Sequence, residues 1–210
     1  MTKKRHAGKR SIRPVMRIFT EGEKTEVNYV RGYISSYLKC KGYTAHDIII
    51  EQPNDSSPWG LLNAARQARL PMDEMWIVFD CDQHSRKQET FNGAAEDGIG
   101  IAYSSISFET WILLHFTYST RAYNSCDELI KVLDKFYLNG YDKAMNNLFE
   151  ETAGTDHSRL LTAILNARRL DKEMQKTNAG KKTYELNPYT NVYELLEAID
   201  AFIVKKHSRR

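Results

Sequence analysis

The rhythm of hydrophobic positions changes halfway along the chain, and that change predicts how the molecule is organised. In the first 105 residues, short apolar runs alternate with amphipathic stretches. Val15-Met-Arg-Ile-Phe-Thr20 is a β-rich run closed at once by the turn Glu21-Gly22. Residues 25–39 place Val27, Val30, Ile34 and Leu38 three or four apart, the spacing of one helical face. Asp47-Ile-Ile-Ile50 reads as a second strand, Asn54-Asp-Ser-Ser-Pro58 as a loop with a helix start, and 59–70 as a helix. Met75-Trp-Ile-Val-Phe79 is a third, continuously apolar strand. Residues 85–97 read as a polar helix and Gly100-Ile-Ala-Tyr-Ser104 as a fourth strand. Strands separated by helices of this length imply crossover connections and a parallel sheet.

Past residue 105 the strand signals stop. Residues 107–118, 125–137, 142–150, 156–175 and 190–206 all read as helical. The last is the clearest, with Val192, Leu195, Leu196, Ile199, Phe202 and Ile203 on one apolar stripe. Asn187-Pro188 marks a turn before it, and Thr190 or Asn191 is placed to cap it. Residues 176–187 form a basic, glycine-containing loop. The expected fold is α/β: a parallel four-stranded sheet with flanking helices over 15–105, then an all-helical region over 106–204 packed on it.

Charge becomes informative once it is located. The net is +3, yet residues 1–17 carry seven Lys/Arg and no acid, and 205–210 carry four more. The stretch between them holds 19 basic and 27 acidic residues. A basic N-terminal arm (1–14) and a basic tail (205–210) therefore flank an acidic body. Such arms can neutralise phosphates and strengthen nucleic-acid binding, although a solubilising tail explains the same charge. Cys40, Cys81 and Cys126 are scattered, odd in number and never paired as C-x-x-C. This argues against a disulfide framework or a thiolate zinc site and suits reduced thiols in the cytosol. No apolar core follows the basic first residues to make a signal peptide. The longest strongly apolar run, Trp111 to Phe116, is far short of the roughly 20 residues a membrane span needs. A cytoplasmic protein without a membrane partner is expected.

In a parallel α/β sheet, ligands gather outside the carboxyl ends of the strands. Two of those ends carry acids here: Glu21-Gly22 after the first strand, and Asp80-Cys81-Asp82 after the third. Asp80 and Asp82, two apart, share a side if the chain stays extended, and could share a cation. Carboxylate oxygens with water positions left open suit Mg²⁺, and like charges this close need a cation to be tolerable. Each piece alone has an ordinary reading: an acid near a helix start, or an Asx-turn. Together, in this order and each after a β-run, they point to a metal site.

The pattern strand-Glu-Gly followed by strand-Asp-x-Asp resembles the Toprim domain of topoisomerases, bacterial primases and OLD-type nucleases. Ile18-Phe-Thr-Glu-Gly-Glu-Lys-Thr-Glu26, Val78-Phe-Asp-Cys-Asp82, Ser107-Phe-Glu-Thr-Trp-Ile-Leu-Leu-His-Phe116 and Asn187-Pro-Tyr-Thr-Asn-Val192 look like signatures of the RloB family. The resemblance runs from about residue 16 to 200. It implies that Glu21 is the Toprim glutamate, placed for metal binding or general acid-base work, and that Asp80 and Asp82 are the metal-binding pair. Glu26 falls where related nucleases carry another acid, and Glu109 lies in the Ser-Phe-Glu motif. The expected set is Glu21, Glu26 and Glu109 as catalytic residues, with Glu21, Asp80 and Asp82 on Mg²⁺ or Mn²⁺. Two departures bear on the surroundings rather than the carboxylates: Cys81 where an arginine is more usual, and Ser105-Ile106 where Asn-Pro is.

Other candidates have stronger ordinary readings. Lys24 could meet a phosphate but reads first as an exposed lysine. His84, two residues after Asp82, could shuttle a proton. His115 shares a helical face with Phe108, Trp111 and Ile112 and reads as a packed, satisfied histidine. Asn187 and Asn191 are explained by turn and cap chemistry. The aromatic residues are too scattered to predict a base-stacking platform.

The family resemblance implies a metal-dependent nuclease acting in anti-phage defence beside an AAA-type ATPase. No G-x-x-x-x-G-K-[ST] motif occurs, so the ATPase would be a separate chain. The alternative is a non-catalytic module that binds nucleic acid or a partner. A haloacid-dehalogenase reading of Asp80-x-Asp82 ranks last, because Gln83-His84 follow at mid-chain instead of Gly-Thr near the N-terminus. DNA or RNA as substrate, and homo-oligomerisation, are left open.

Overall fold

The computed structural model describes residues 13–81 and 85–208. The basic arm over 1–12, residues 209–210, and Asp82, Gln83 and His84 lie outside the described residues.

The first half follows the alternation of the sequence. β1 (Met16–Thr20) leads into α1 (Thr25–Gly32), which continues as one π-helical stretch over Tyr33–Leu38. Then come β2 (Ile48–Glu51), α2 (Pro58–Ala68), β3 (Glu74–Asp80), α3 (Lys87–Asp97) and β4 (Gly100–Ser105). α2 starts where the sequence signals it: Pro58 occupies its first turn, and the Ser57 hydroxyl accepts the Gly60 N–H at 3.1 Å. α3 stops at Gly98, which takes the left-handed conformation (φ +62°) that closes a helix without steric cost.

The sheet order is β2-β1-β3-β4, all parallel, so the connections are crossovers carrying helices. β1 and β3 are neighbours, with Met16 opposite Glu74 and Thr20 opposite Val78. Their apolar character, broken in β1 only by Arg17, follows from burial on both faces: Met16, Ile18, Phe19, Ile77, Val78 and Phe79 are all buried.

The second half contains α4 (Glu109–Leu114), α5 (Cys126–Phe136), α6 (Leu148–Ala153), α7 (Ser158–Thr177), a 3₁₀ turn (Thr183–Glu185), β5 (Tyr189–Thr190) and α8 (Val192–His207). Two expectations need correcting. The sheet has five strands instead of four, because β5 pairs antiparallel with β4, Thr190 opposite Ser104. The region after 105 is therefore not all-helical. The helix expected over 142–150 covers only Leu148–Ala153; ahead of it, Asp142 Oδ1 accepts the Ala144 N–H at 2.7 Å and turns the chain.

Asn191 explains how β5 is held. The Asn191 side chain does not cap α8; the Thr190 hydroxyl accepts the Val192 N–H there at 3.4 Å. The Asn191 amide instead imitates a backbone peptide, accepting the Tyr103 N–H at 2.7 Å and donating to the Ile101 carbonyl at 2.9 Å. Its own N–H donates to the Tyr103 carbonyl at 3.2 Å. A two-residue strand is thereby extended by a side chain. The apolar stripe of α8 is buried from Val192 to Ile203 and belongs to the core.

One continuous hydrophobic cluster joins the sheet to the later helices. At its centre Tyr29 meets Phe108 and Phe149 edge-on, with ring centroids 5.5 and 5.3 Å apart. His115 sits beside them, fully buried. Its Nδ1 bonds the Trp111 carbonyl at 3.1 Å, and its Nε2 meets the Tyr29 hydroxyl at 2.9 Å. With Nδ1–H donating, Nε2 is left to accept from tyrosine. Burial drives its pKa down to about 3, so the ring is neutral and satisfied, as its helical face predicts.

Candidate functional site

Parallel pairing of β1 with β3 brings their two acidic ends together. The Glu21 N–H donates to the Val78 carbonyl at 2.9 Å, carrying the ladder one residue past β1. In return the Asp80 N–H donates to Glu21 Oε2 at 3.0 Å, which fixes the glutamate side chain against the end of β3. Gly22 follows, and a Cβ there would stand 2.0 Å from Glu26 Oε2, so any side chain would displace the Glu26 carboxylate. The glycine thus admits Glu26, from the first turn of α1, to the same place. The turn is held by the Thr20 hydroxyl and the Gln52 amide, both donating to the Gly22 carbonyl at 3.0 Å.

Glu109 arrives from the opposite side, on the first turn of α4. It is 1% exposed, and its carboxylate accepts the Tyr141 hydroxyl at 3.0 Å and meets Lys143 Nζ at 3.7 Å. The Cys126 thiol lies 3.4 Å from its other oxygen. Glu21, Glu26, Asp80 and Glu109 line one cavity of about 280 Å³ with Lys24, Lys143 and Phe108. All four described acids expected from the sequence therefore converge. Lys24 lines the cavity as well.

The electrostatics are those of crowded carboxylates. Burial pushes Glu26 up to about 7, with the charges of Glu109 and Glu21 adding to it. Asp80 is raised well above the carboxylate range by burial first, then by Glu26, Glu109 and Glu21; a hydrogen bond from the Phe108 backbone N–H pulls the other way. Burial works against the Lys143 charge, but the Glu109 carboxylate first, and Cys126 and Asp80 after it, together outweigh burial and the ammonium is favoured. Burial and the Glu109 charge push the Cys126 thiol up to about 11, so it stays protonated.

Tyr141 and Lys143 were not singled out by the sequence. Lys143 lies in the stretch expected to be helical (142–150) and Tyr141 just ahead of it, and the motifs near Glu109 give no local signal that residues more than thirty positions later close over it. Asp82 and His84 lie outside the described residues. Asn187 donates to the Tyr123 carbonyl at 3.0 Å, a structural contact.

Chemically, the donor set suits a hard divalent cation: oxygen ligands only, in excess of the positive charge beside them. Among the described residues, no three His, Cys, Asp or Glu already stand close enough to hold a metal ion. Glu21 and Asp80 fit such an ion by residue type and by their place on the cavity wall.

A family model described as RloB-like protein matches residues 16–199. No curated protein and no solved structure matches the chain. Among the described residues, no helix is long and apolar enough to cross a membrane.

Proposed function

Because this chain belongs to the RloB-like family, we propose that it is a metal-dependent phosphodiesterase acting on nucleic acid. It would serve as the effector of an antiviral defence system whose ATPase is a separate chain. The observation that carries this reading is the convergence of Glu21, Glu26, Asp80 and Glu109, from the end of β1, α1, β3 and α4, on one cavity that Glu23 also lines, at the carboxyl edge of a parallel sheet. The order of these motifs resembles a Toprim site.

Glu21, Asp80 and Asp82 would hold Mg²⁺ or Mn²⁺. When bound, such a cation supplies charge stabilisation at the phosphate and a water activated for attack. The protein's own residues do the rest. The Asp80 N–H orients Glu21. Glu26, buried on the wall of the cavity, is placed to take the proton of the attacking water. Glu109, steadied by Tyr141, holds Lys143 at the cavity. There the ammonium can stabilise the negative charge that builds on the phosphoryl oxygens.

A second reading, a module that binds nucleic acid or a partner without cleaving it, is favoured by one observation: no three described acids are already gathered around a single point. Cleavage of mixed DNA and RNA with added Mg²⁺ or Mn²⁺, in the presence and absence of the ATPase, decides between them. The nuclease reading expects cutting that chelator stops and that Glu21→Gln and Asp80→Asn abolish. Nucleic-acid binding with no cutting under any of these conditions supports the module.

A further inference from the structure

Beside the carboxylate cavity, the same edge of the sheet carries a cationic and aromatic feature that the chemistry above does not use. α2 and α3 both begin at this edge, following β2 and β3. Trp59, in the first turn of α2, is half-buried. The guanidinium of Arg86 stacks on its ring, with Cζ 3.6 Å from the ring centroid. Arg66, two turns further along α2, approaches the same ring at 5.5 Å and is ion-paired with Asp97 at 2.7 Å.

Arg86 is held in an unusual backbone state. It takes φ +69°, a left-handed conformation that a non-glycine residue adopts at a cost. Its carbonyl is tied down by two donors from Thr90, the N–H at 2.9 Å and the hydroxyl at 3.0 Å. The side chain nevertheless remains 47% exposed, with Glu89 as an ion-pair partner 4.0 Å away. Next to it, Lys87 reaches back to the strand end, its Nζ 3.5 Å from the Cys81 sulfur, one residue from Asp80. A stacked, half-exposed guanidinium and an ammonium therefore stand at the end of β3.

A structural staple between α2 and α3 would hold just as well with an apolar residue. An arginine stacked on tryptophan presents something more: a planar, charged surface with donors fixed in direction, matched to a phosphate or to the face of an unpaired base. We propose that Trp59 and Arg86, with Lys87 beside them, form a subsite that grips single-stranded nucleic acid next to the carboxylate cavity. This rests on the phosphodiesterase reading for the identity of the polymer, and makes single strands the preferred class.

Binding and cutting are measured separately on the full chain. Short fluorescein-labelled single strands of mixed sequence, DNA and RNA, and their duplexes are titrated by anisotropy in chelator. The proteins are wild type, Trp59→Ala, Trp59→Phe, Arg86→Ala and Arg86→Lys, with melting curves to verify folding. Single strands should bind wild type more tightly than duplexes. Trp59→Ala and Arg86→Ala should each weaken single-strand binding roughly tenfold; Trp59→Phe and Arg86→Lys should weaken it less. Folded Trp59→Ala and Arg86→Ala proteins that bind like wild type overturn the subsite, even where metal-dependent cleavage stands. A wild type that binds no single strand, or prefers duplex, overturns it as well. Binding that falls as expected, in a protein that never cuts with any metal, supports the subsite and removes the phosphodiesterase reading instead.

Discussion

Removing the charge of Glu26 should stabilise the protein at high pH and leave it little changed in acid. The side chain is 5% exposed, and burial together with two neighbouring carboxylates raises its pKa from the ordinary 4.5 to about 7. A group whose proton is held more tightly in the folded than in the unfolded chain contributes stability that is fully present below the unfolded value. That contribution is lost as pH climbs through the folded value. At about 1.4 kcal/mol per tenfold change in proton affinity, the rise amounts to about 3 kcal/mol lost between pH 4.5 and pH 8. For a domain of this size, roughly 2–4 °C per kcal/mol converts this to about 6–12 °C in melting temperature. The assay is thermal unfolding of wild type and Glu26→Gln in chelator at about pH 5 and about pH 8. Comparing the gap at the two pH values cancels any packing or hydrogen-bond change that the amide introduces at both. The variant should gain on wild type by most of that interval as pH rises. A gap that is the same at both pH values would refute the argument that Glu26 is a strained, crowded carboxylate.

Three further outcomes follow from the geometry. His115, neutral with its pKa driven to about 3 by burial, contributes stability that is present above about 6.5 and lost as pH falls toward 3. His115→Gln should therefore start less stable at neutral pH yet lose stability less steeply in acid, read by denaturant melts across that range. Asn191→Ala strands the Tyr103 N–H and the Ile101 carbonyl of β4 and should cost about 2–4 kcal/mol by chemical denaturation; Asn191→Asp, which sets a carboxylate oxygen against the Ile101 carbonyl and the Glu194 carboxylate, should cost no less. Lys143→Met removes the ammonium beside Glu109 and, in the phosphodiesterase reading, should lower the cleavage rate roughly 10²–10³-fold while the fold survives.

What the sequence reveals and what it hides divide along physical lines. β3 is apolar without interruption from Met75 to Phe79, and β1 is broken only by Arg17, because both faces are covered, so these strands stand out, and their parallel pairing follows from the helices between them. The acids just past their ends are readable for the same reason: a strand end followed by Glu-Gly or Asp-x-Asp fixes where the carboxylate goes. β5 hides because two residues carry no periodicity and its extension is made by the Asn191 side chain, which local pattern assigns to a helix cap. Tyr141 and Lys143 hide because their role comes from long-range packing against Glu109, in a stretch whose Asp142 turn interrupts the helical spacing. The Trp59–Arg86 stack is likewise a meeting of two helix starts, 27 positions apart in the chain.

A phosphodiesterase of this kind requires that these carboxylates hold a metal ion. Titration calorimetry of Mn²⁺ into the wild-type chain, with Glu21→Gln and Asp80→Asn in parallel, addresses this without requiring turnover, a partner or a known substrate. Wild type should show saturable binding that either substitution weakens at least roughly tenfold, since each removes a charged oxygen ligand, while the folded state is kept. Saturable Mn²⁺ binding that survives both substitutions unchanged, or no binding by a folded wild-type chain, would contradict such a site.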